Sequence, residues 1–195
     1  MKITRVETIL VQPRWLFLKL HTDTGLVGYG EPVVEGRART VREAVHELEE
    51  YLVGQDPRRI EHHWQAIYRH AFYRGGPVLT SALSGIEQAM WDLLGKSLGV
   101  PVYQLLGGAC RDRIRMYAHC GASTPEAAAE LGRQRVAAGF TALKTGIGRC
   151  PARTLESPEF MEDVAARFAA LREAVGPKID IAIDFHGQIS PALAI

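Results

Sequence analysis

The chain has 195 residues, 47% of them apolar, enough to bury the core of one large domain or of one domain and part of another. Its 23 Lys and Arg against 22 Asp and Glu leave a formal net charge of +1. The arginines are scattered among acids, so there is no broad electrostatic footprint for nucleic acid or an acidic membrane.

MKITRVETILV lacks the long apolar stretch of a signal peptide, and no run reaches bilayer-crossing length, so no membrane association is expected. Cys110, Cys120 and Cys150 form an odd set with no CxxC spacing. That argues against a disulfide framework or a Cys/His zinc site and for a reducing, cytoplasmic location.

The first thirty residues read as strands. Ile3, Val6, Ile9 and Val11 sit among polar residues, and Pro13-Arg14 breaks the run. Leu16, Leu18 and Leu20 then alternate with Phe17, Lys19 and His21, the period of a half-buried strand. Asp23-Thr24-Gly25 signals a turn, and residues 26–30 a third strand, which makes an antiparallel meander. Three helices are expected next. Thr40 and Glu43 read as a capping box, with Val41, Ala44, Val45, Leu48 and Leu52 on one face. Asp56-Pro57 reads as an N-cap and first-turn proline for a second helix carrying Ile60, Trp64, Ile67 and Ala71. Leu79, Leu83, Ile86, Met90 and Leu94 mark a third, ending near Gly99 with Pro101 beyond. Residues 1–110 therefore read as an α+β domain.

The pattern then changes. Residues 113–119 read as a strand, Ser123 or Thr124 with Pro125 starts a helix, and Gly139 stops it. Residues 141–144 form a short strand, Ser157-Pro158 starts another helix, and IDIAID at 179–184 is a third strand. Strand, helix, strand, helix, strand is the repeat of a parallel sheet, either open or the start of a (β/α) barrel. The stretch between Gly146 and Pro158 is long for a βα loop, and such loops lie at the carboxyl ends of strands, where α/β folds keep their sites. Three parallel strands alone leave apolar edges bare, so residues 111–195 are expected to be the truncated start of a barrel.

Asp184 and His186 stand two apart at the end of the third strand, so both can face one cavity. A carboxylate there suits a hard cation such as Mg²⁺, and a histidine beside it can move a proton near neutral pH. The alternative is an Asp that caps the next helix and a His packed in a loop. Lys144 also ends a strand. It can steady a carboxylate, neutralise an enolate or act as a base, or it is a solvated lysine. Arg14 and Trp15, and Arg74 beside Gly75-Gly76, are candidates for binding an anionic ligand, with turn and loop residues as the alternative. Glu31 either faces a ligand or ends its strand. Gly107-Gly108 lacks the dinucleotide-binding arrangement, and no Ser or Cys sits in a nucleophile elbow.

Taken together, these residues resemble the enolase superfamily in its mandelate racemase and muconate-lactonizing branch. The resemblance rests on SALSGIEQAMWDLLGKSLGVPVYQLLGG followed by Arg111-Asp112, and on the order meander, helices, βα units. Within the branch, PRWLFLKL, GEPVVEGRARTVREAVHEL, FYRGGP and IDFHG are most similar to the galactonate dehydratase group. The resemblance implies an α+β capping domain at 1–110 and the first βα units of an incomplete TIM-type barrel at 111–195. It implies Mg²⁺ as cofactor, a sugar acid as substrate and a homo-oligomer in the full-length protein. The reaction implied is removal of the C2 proton and loss of the C3 hydroxyl. Asp184 matches the first metal ligand and His186 the general acid. The other two carboxylate ligands and the histidine base belong to later strands. Lys144-Thr145-Gly146 departs from the Lys-x-Lys of many relatives, which argues against a racemase-type lysine base. Gly146 also departs from the Asn of the galactonate dehydratase group. A mannonate or gluconate dehydratase, an acid-sugar racemase, and a non-catalytic truncated module remain as alternatives.

Overall fold

A computed structural model describes residues 1–69, 72–148 and 157–194. Ala71, Cys150 and most of the stretch between Gly146 and Pro158 lie outside the described residues. Internal contacts divide the chain into two units, Met1–Cys110 and Arg111–Ile195.

The first unit opens with β1 (Ile3–Val11), β2 (Trp15–Thr22) and β3 (Val27–Gly30), an antiparallel sheet in that order. Leu16, Leu18 and Leu20 are fully buried, and each alternate residue faces away from the core. Their partners on β1 are Leu10, Thr8 and Val6. An irregularity between Ile3 and Arg5 moves Ile3 onto the same face as Val6, despite their odd spacing. Ile9 and Val11 consequently pair with Phe17 and Trp15 on the other face.

Helices α1 (Ala38–Glu47), α2 (Glu49–Leu52), α3 (Ile60–Arg69) and α4 (Gly76–Leu98) cover the leucine face, and α5 (Val102–Leu105) follows. Val41, Val45, Leu52, Ile86, Met90 and Leu93 complete the core. Burying a side chain of this size contributes about 1.5–3 kcal/mol, so this layer dominates the stability of the unit. Helix α4 lies close against β3. A Cβ on Gly30 would overlap the carbonyl oxygen of Gly85, and one on Gly28 would overlap that of Ala89. The glycines of VGYG let helix and strand backbones touch, and the left-handed Gly99 (φ 69°) caps the helix.

Four sequence expectations are corrected here. Helix α1 starts at Ala38 after Arg37, without a side-chain cap, so Thr40 and Glu43 form no capping box; Glu43 pairs instead with Arg42 at 2.6 Å. The helical face breaks at Leu48, which separates α1 from α2. Asp56 does not cap α3. Its carboxylate accepts from the Arg58 amide (3.0 Å) and guanidinium, closing a turn, and the helix begins at Ile60. On α4, Leu79 is exposed and Leu93 takes the buried place.

The second unit is a parallel sheet, β4 (Ala118–His119), β5 (Ala142–Gly146) and β6 (Asp180–Asp184), with α6 (Pro125–Ala137) and α7 (Pro158–Val175) between the strands and α8 (Pro191–Ala194) after them. Thr124 and Ser157 cap α6 and α7 by accepting from Ala127 N and Phe160 N, each at 3.2 Å. The predicted strand over 113–119 shrinks to Ala118–His119. In the parallel register Ala118 faces Leu143, so residues 113–116 would lie opposite the turn that ends α6 and find no strand partner. Arg115 instead binds Thr141 and Asp180.

Ala118, Leu143 and Ile181 stand side by side in register and belong to one apolar cluster with Ala128 of α6 and Leu171 of α7. Both helices therefore cover one face of the sheet. His119, Lys144 and Ala182 are the next register row and point the opposite way, as does Asp184, two residues beyond Ala182.

Candidate active site

That helix-free face carries the candidates Lys144 and Asp184. Lys144 Nζ lies 2.6 Å from Asp184 Oδ2, and both side chains are about one third exposed. The chain leaves β6 through a turn in which His186 (φ 50°) and Gly187 (φ 64°) are both left-handed, closed by Gln188 N donating to Phe185 O at 2.9 Å. His186 is the one non-glycine residue with positive φ among the described residues. Backbone of this kind is costly and concentrates where geometry is functional. The turn sends the His186 amide back to Asp184 Oδ1 at 3.0 Å and its Nε2 to Asp184 Oδ2 at 2.9 Å. The Lys144 ammonium, with help from the His186 amide, holds the Asp184 carboxyl below the usual carboxylate range. Asp184 in turn pushes the Lys144 ammonium up, so at neutral pH the two are a charged pair.

Lys144, Asp184 and His186 are thus brought together. Asp184 offers ionised oxygen, the donor a hard divalent cation prefers. Among the described residues there is no group of three or more His, Cys, Asp or Glu that could hold a metal ion.

Two further residues at the strand ends were missed in the sequence. A cleft of about 610 Å³ is lined by His119, Gly121, Gly146, Gly148, Arg167 and His186, among others. Arg167 of α7 is nine-tenths buried. It donates to Ala122 O (3.1 Å), Ile147 O (3.0 Å) and its helix neighbour Asp163 (3.0 Å). One guanidinium thus ties the segment after β4 to the segment after β5. The available signal was a charged residue inside the apolar stripe of Val164, Phe168 and Leu171. His119 ends β4, and its signal was a polar residue in register with Lys144.

The remaining candidates lie in the first unit. Arg14 and Trp15 line a cleft of about 290 Å³ beside Arg37–Thr40. The Arg14 guanidinium stacks over the Trp15 ring at 5.0 Å and pairs with Glu35 at 2.7 Å. Arg74 is not with them. It lines a smaller cleft of about 110 Å³ with Glu47, Ile67, Tyr68 and Tyr73. The Glu31 backbone amide is tied to Gln88 of α4 at 2.9 Å, which fixes the end of β3.

Comparison with known proteins agrees with this architecture. Residues 3–107 match the mandelate racemase / muconate lactonizing enzyme N-terminal domain, and residues 126–195 match the enolase C-terminal domain-like family. A D-galactonate dehydratase of Verminephrobacter eiseniae is 52% identical over 194 residues, covering all of this chain and 50% of the relative. The chain spans about half the length of the curated relatives it matches. Among solved structures, a member of the enolase superfamily from Salmonella Typhimurium superposes with a TM-score of 0.91 at 30% identity, over 99% of this chain and 56% of that one. An enolase from Pantoea ananatis, solved with bound D-gluconate and Mg, gives a TM-score of 0.86 at 30% identity, over 99% of this chain and 55% of that one. With an antiparallel meander under helices and parallel βα units carrying Lys144 and Asp184 at their strand ends, the chain belongs to the mandelate racemase and muconate lactonizing enzyme family of the enolase superfamily.

Proposed function

We propose that the protein is a Mg²⁺-dependent sugar-acid dehydratase that converts D-galactonate to 2-dehydro-3-deoxy-D-galactonate, with this chain supplying the capping domain and the first strands of a TIM-type barrel. The observation that carries the reading is the Lys144–Asp184–His186 cluster on the helix-free face of the parallel strands. The curated relatives at about 50% identity bear the name of that activity.

A proton beside a carboxylate is very weakly acidic, so its removal needs concentrated positive charge near the carboxylate. Mg²⁺ supplies that charge when bound. Asp184 is the residue here that would hold it, and its carboxylate is kept ionised and oriented by Lys144 and the His186 amide. Lys144 adds a fixed positive charge. His186 Nε2 is the proton carrier: it delivers a proton to the C3 hydroxyl as the C3–O bond breaks, so that water leaves. The enol left behind tautomerises to the 2-keto-3-deoxy acid. The C2 base and the other carboxylate ligands belong to the half of the relatives' length that this chain does not span. Alone, the chain is therefore expected to be inactive. Arg14 and Trp15, and separately Arg74 and Glu31, are the capping-domain candidates for contacts to the distal hydroxyls.

D-gluconate is the second reading, favoured by the Pantoea ananatis relative that binds it with Mg. Turnover of a panel of aldonic acids by the full-length protein, followed as 2-keto acid formed, separates the two. Galactonate is expected to give the highest kcat/KM; a preference for gluconate moves the assignment to the second reading, and no turnover of any aldonic acid removes both.

A further inference from the structure

His119 packs back against Gly121. A Cβ on Gly121 would stand 2.7 Å from the His119 Cε1, so the exposed imidazole would have to turn out of its present position. Gly121 has no positive φ, so its backbone does not require glycine. The Gly121 amide also donates to His119 Nδ1 at 3.4 Å. With Nδ1 accepting, the proton of the neutral ring sits on Nε2. His119 is in register with Lys144 on the face opposite the helices, its side chain is exposed, and it lines the same cleft as His186. No hydrogen bond from His119 Nε2 occurs among the described residues.

We infer that His119, held by Gly121, is a substrate-binding group of this site: its Nε2–H donates to an oxygen of a hydroxylated carboxylic acid lying across the strand ends. The role rests on the functional reading above and adds to it a specificity contact from the first parallel strand. A fixed donor of one tautomer discriminates between substrates that do and do not place an oxygen opposite it, because a mismatch leaves a polar group unpaired. Gly121 acts through His119 and is a positioning residue.

The test has two arms. Long-range ¹H–¹⁵N NMR of imidazole-labelled protein reads the His119 tautomer without any need for turnover. The Nε2–H form is expected in the neutral ring, and an Nδ1–H form overturns the inference. In the second arm, kcat and KM of the full-length protein for its best aldonic acid are compared in wild type, H119A and G121A. Both variants are expected to raise KM about tenfold with kcat changed less than threefold and melting temperature unchanged, which is the loss expected for one substrate hydrogen bond. An unchanged KM in H119A, or a fall confined to kcat, overturns it. If the wild type turns over no aldonic acid, the functional reading fails by itself. The inference is then judged by titrating D-galactonate and D-gluconate against the His119 Nε2 resonance: a saturable shift sustains it and no shift overturns it.

Discussion

Lys144 and Asp184, forty residues apart in sequence, meet at 2.6 Å because β5 and β6 run parallel in a register that sets Gly146 opposite Asp184 and Lys144 two rows earlier on the same face. The long lysine side chain spans that distance and reaches the carboxylate. A Cβ at Gly146 would meet nothing nearer than the Asp184 carbonyl oxygen at 3.6 Å, an ordinary contact.

Removing the lysine charge isolates its contribution. Lys144→Met is expected to lower kcat/KM of the full-length protein for its sugar acid by about 10²-fold, the scale of losing one charge-stabilising group. Folding should be little affected, because the pair is partly exposed. Steady-state kinetics beside a thermal melt check both; activity within twofold of wild type would remove Lys144 from the site.

Arg167 makes a different prediction. Arg167→Met keeps most of the side-chain volume but strips the Ala122 and Ile147 carbonyls and the Asp163 carboxylate of their donor. Hydrogen bonds to a charged group contribute about 1.5–3 kcal/mol each, but their losses at a single residue do not add. The expected cost is about 2–4 kcal/mol in a urea titration, with amide exchange accelerated at residues 121–123 and 146–148. A change below about 0.5 kcal/mol would mean that the two segments are held by something else.

Close backbone contact limits substitution in the first unit. Gly30→Ala would drive a methyl group into the Gly85 carbonyl of α4, and neither backbone can yield without moving the helix. Overpacking of this kind costs about 1–3 kcal/mol or more. The prediction is a lowered denaturation midpoint with the Lys144–Asp184–His186 cluster of the second unit unchanged in its own spectra. Gly36→Ala would not be a clean control, since Gly36 has φ 76°.

His63 gives the first unit a pH dependence. The ring is buried, with Nδ1 facing the Tyr51 hydroxyl at 2.7 Å and Nε2 facing Asp56 O at 2.9 Å. Burial pushes its pKa below the ordinary 6.5, reinforced by His62 and Arg59 and opposed by the contacts to Asp56. The unfolded chain therefore takes up the proton first as pH falls. The stabilising contribution is complete above about pH 6.5 and is lost as pH drops below it toward the folded-state pKa. Urea midpoints at pH 7.5 and pH 5.5 should differ more for wild type than for His63→Gln. Equal slopes in the two proteins would contradict the assignment.

Much of this was legible from residue pattern. Alternation at Leu16, Leu18 and Leu20 gave β2, and Thr124 and Ser157 ahead of prolines gave the starts of α6 and α7. The two-residue spacing of Asp184 and His186 at a strand end put these two candidates side by side, and the structure brings their side chains to 2.9 Å. What escaped depends on distant partners. Thr40 and Glu43 have capping-box spacing, yet the helix begins two residues before Thr40. Residues 113–116 have strand-like composition but no strand lies beside them. Arg74 shares a glycine-rich surrounding with many ligand loops, yet it opens onto a cleft apart from Arg14 and Trp15. His63, His119 and Arg167 are ordinary polar residues until the fold supplies the groups they bind.

In the proposed function Asp184 is a ligand for the Mg²⁺ on which sugar-acid dehydration depends. The direct measurement is formation of 2-dehydro-3-deoxy-D-galactonate from D-galactonate by the full-length protein, wild type and Asp184→Asn, each titrated with Mg²⁺ after chelation. Wild-type activity should vanish on chelation and return with micromolar to millimolar Mg²⁺, while Asp184→Asn stays inactive or needs far more metal. Wild-type turnover that survives chelation, or an Asp184→Asn protein with the same Mg²⁺ dependence and rate, would contradict the account.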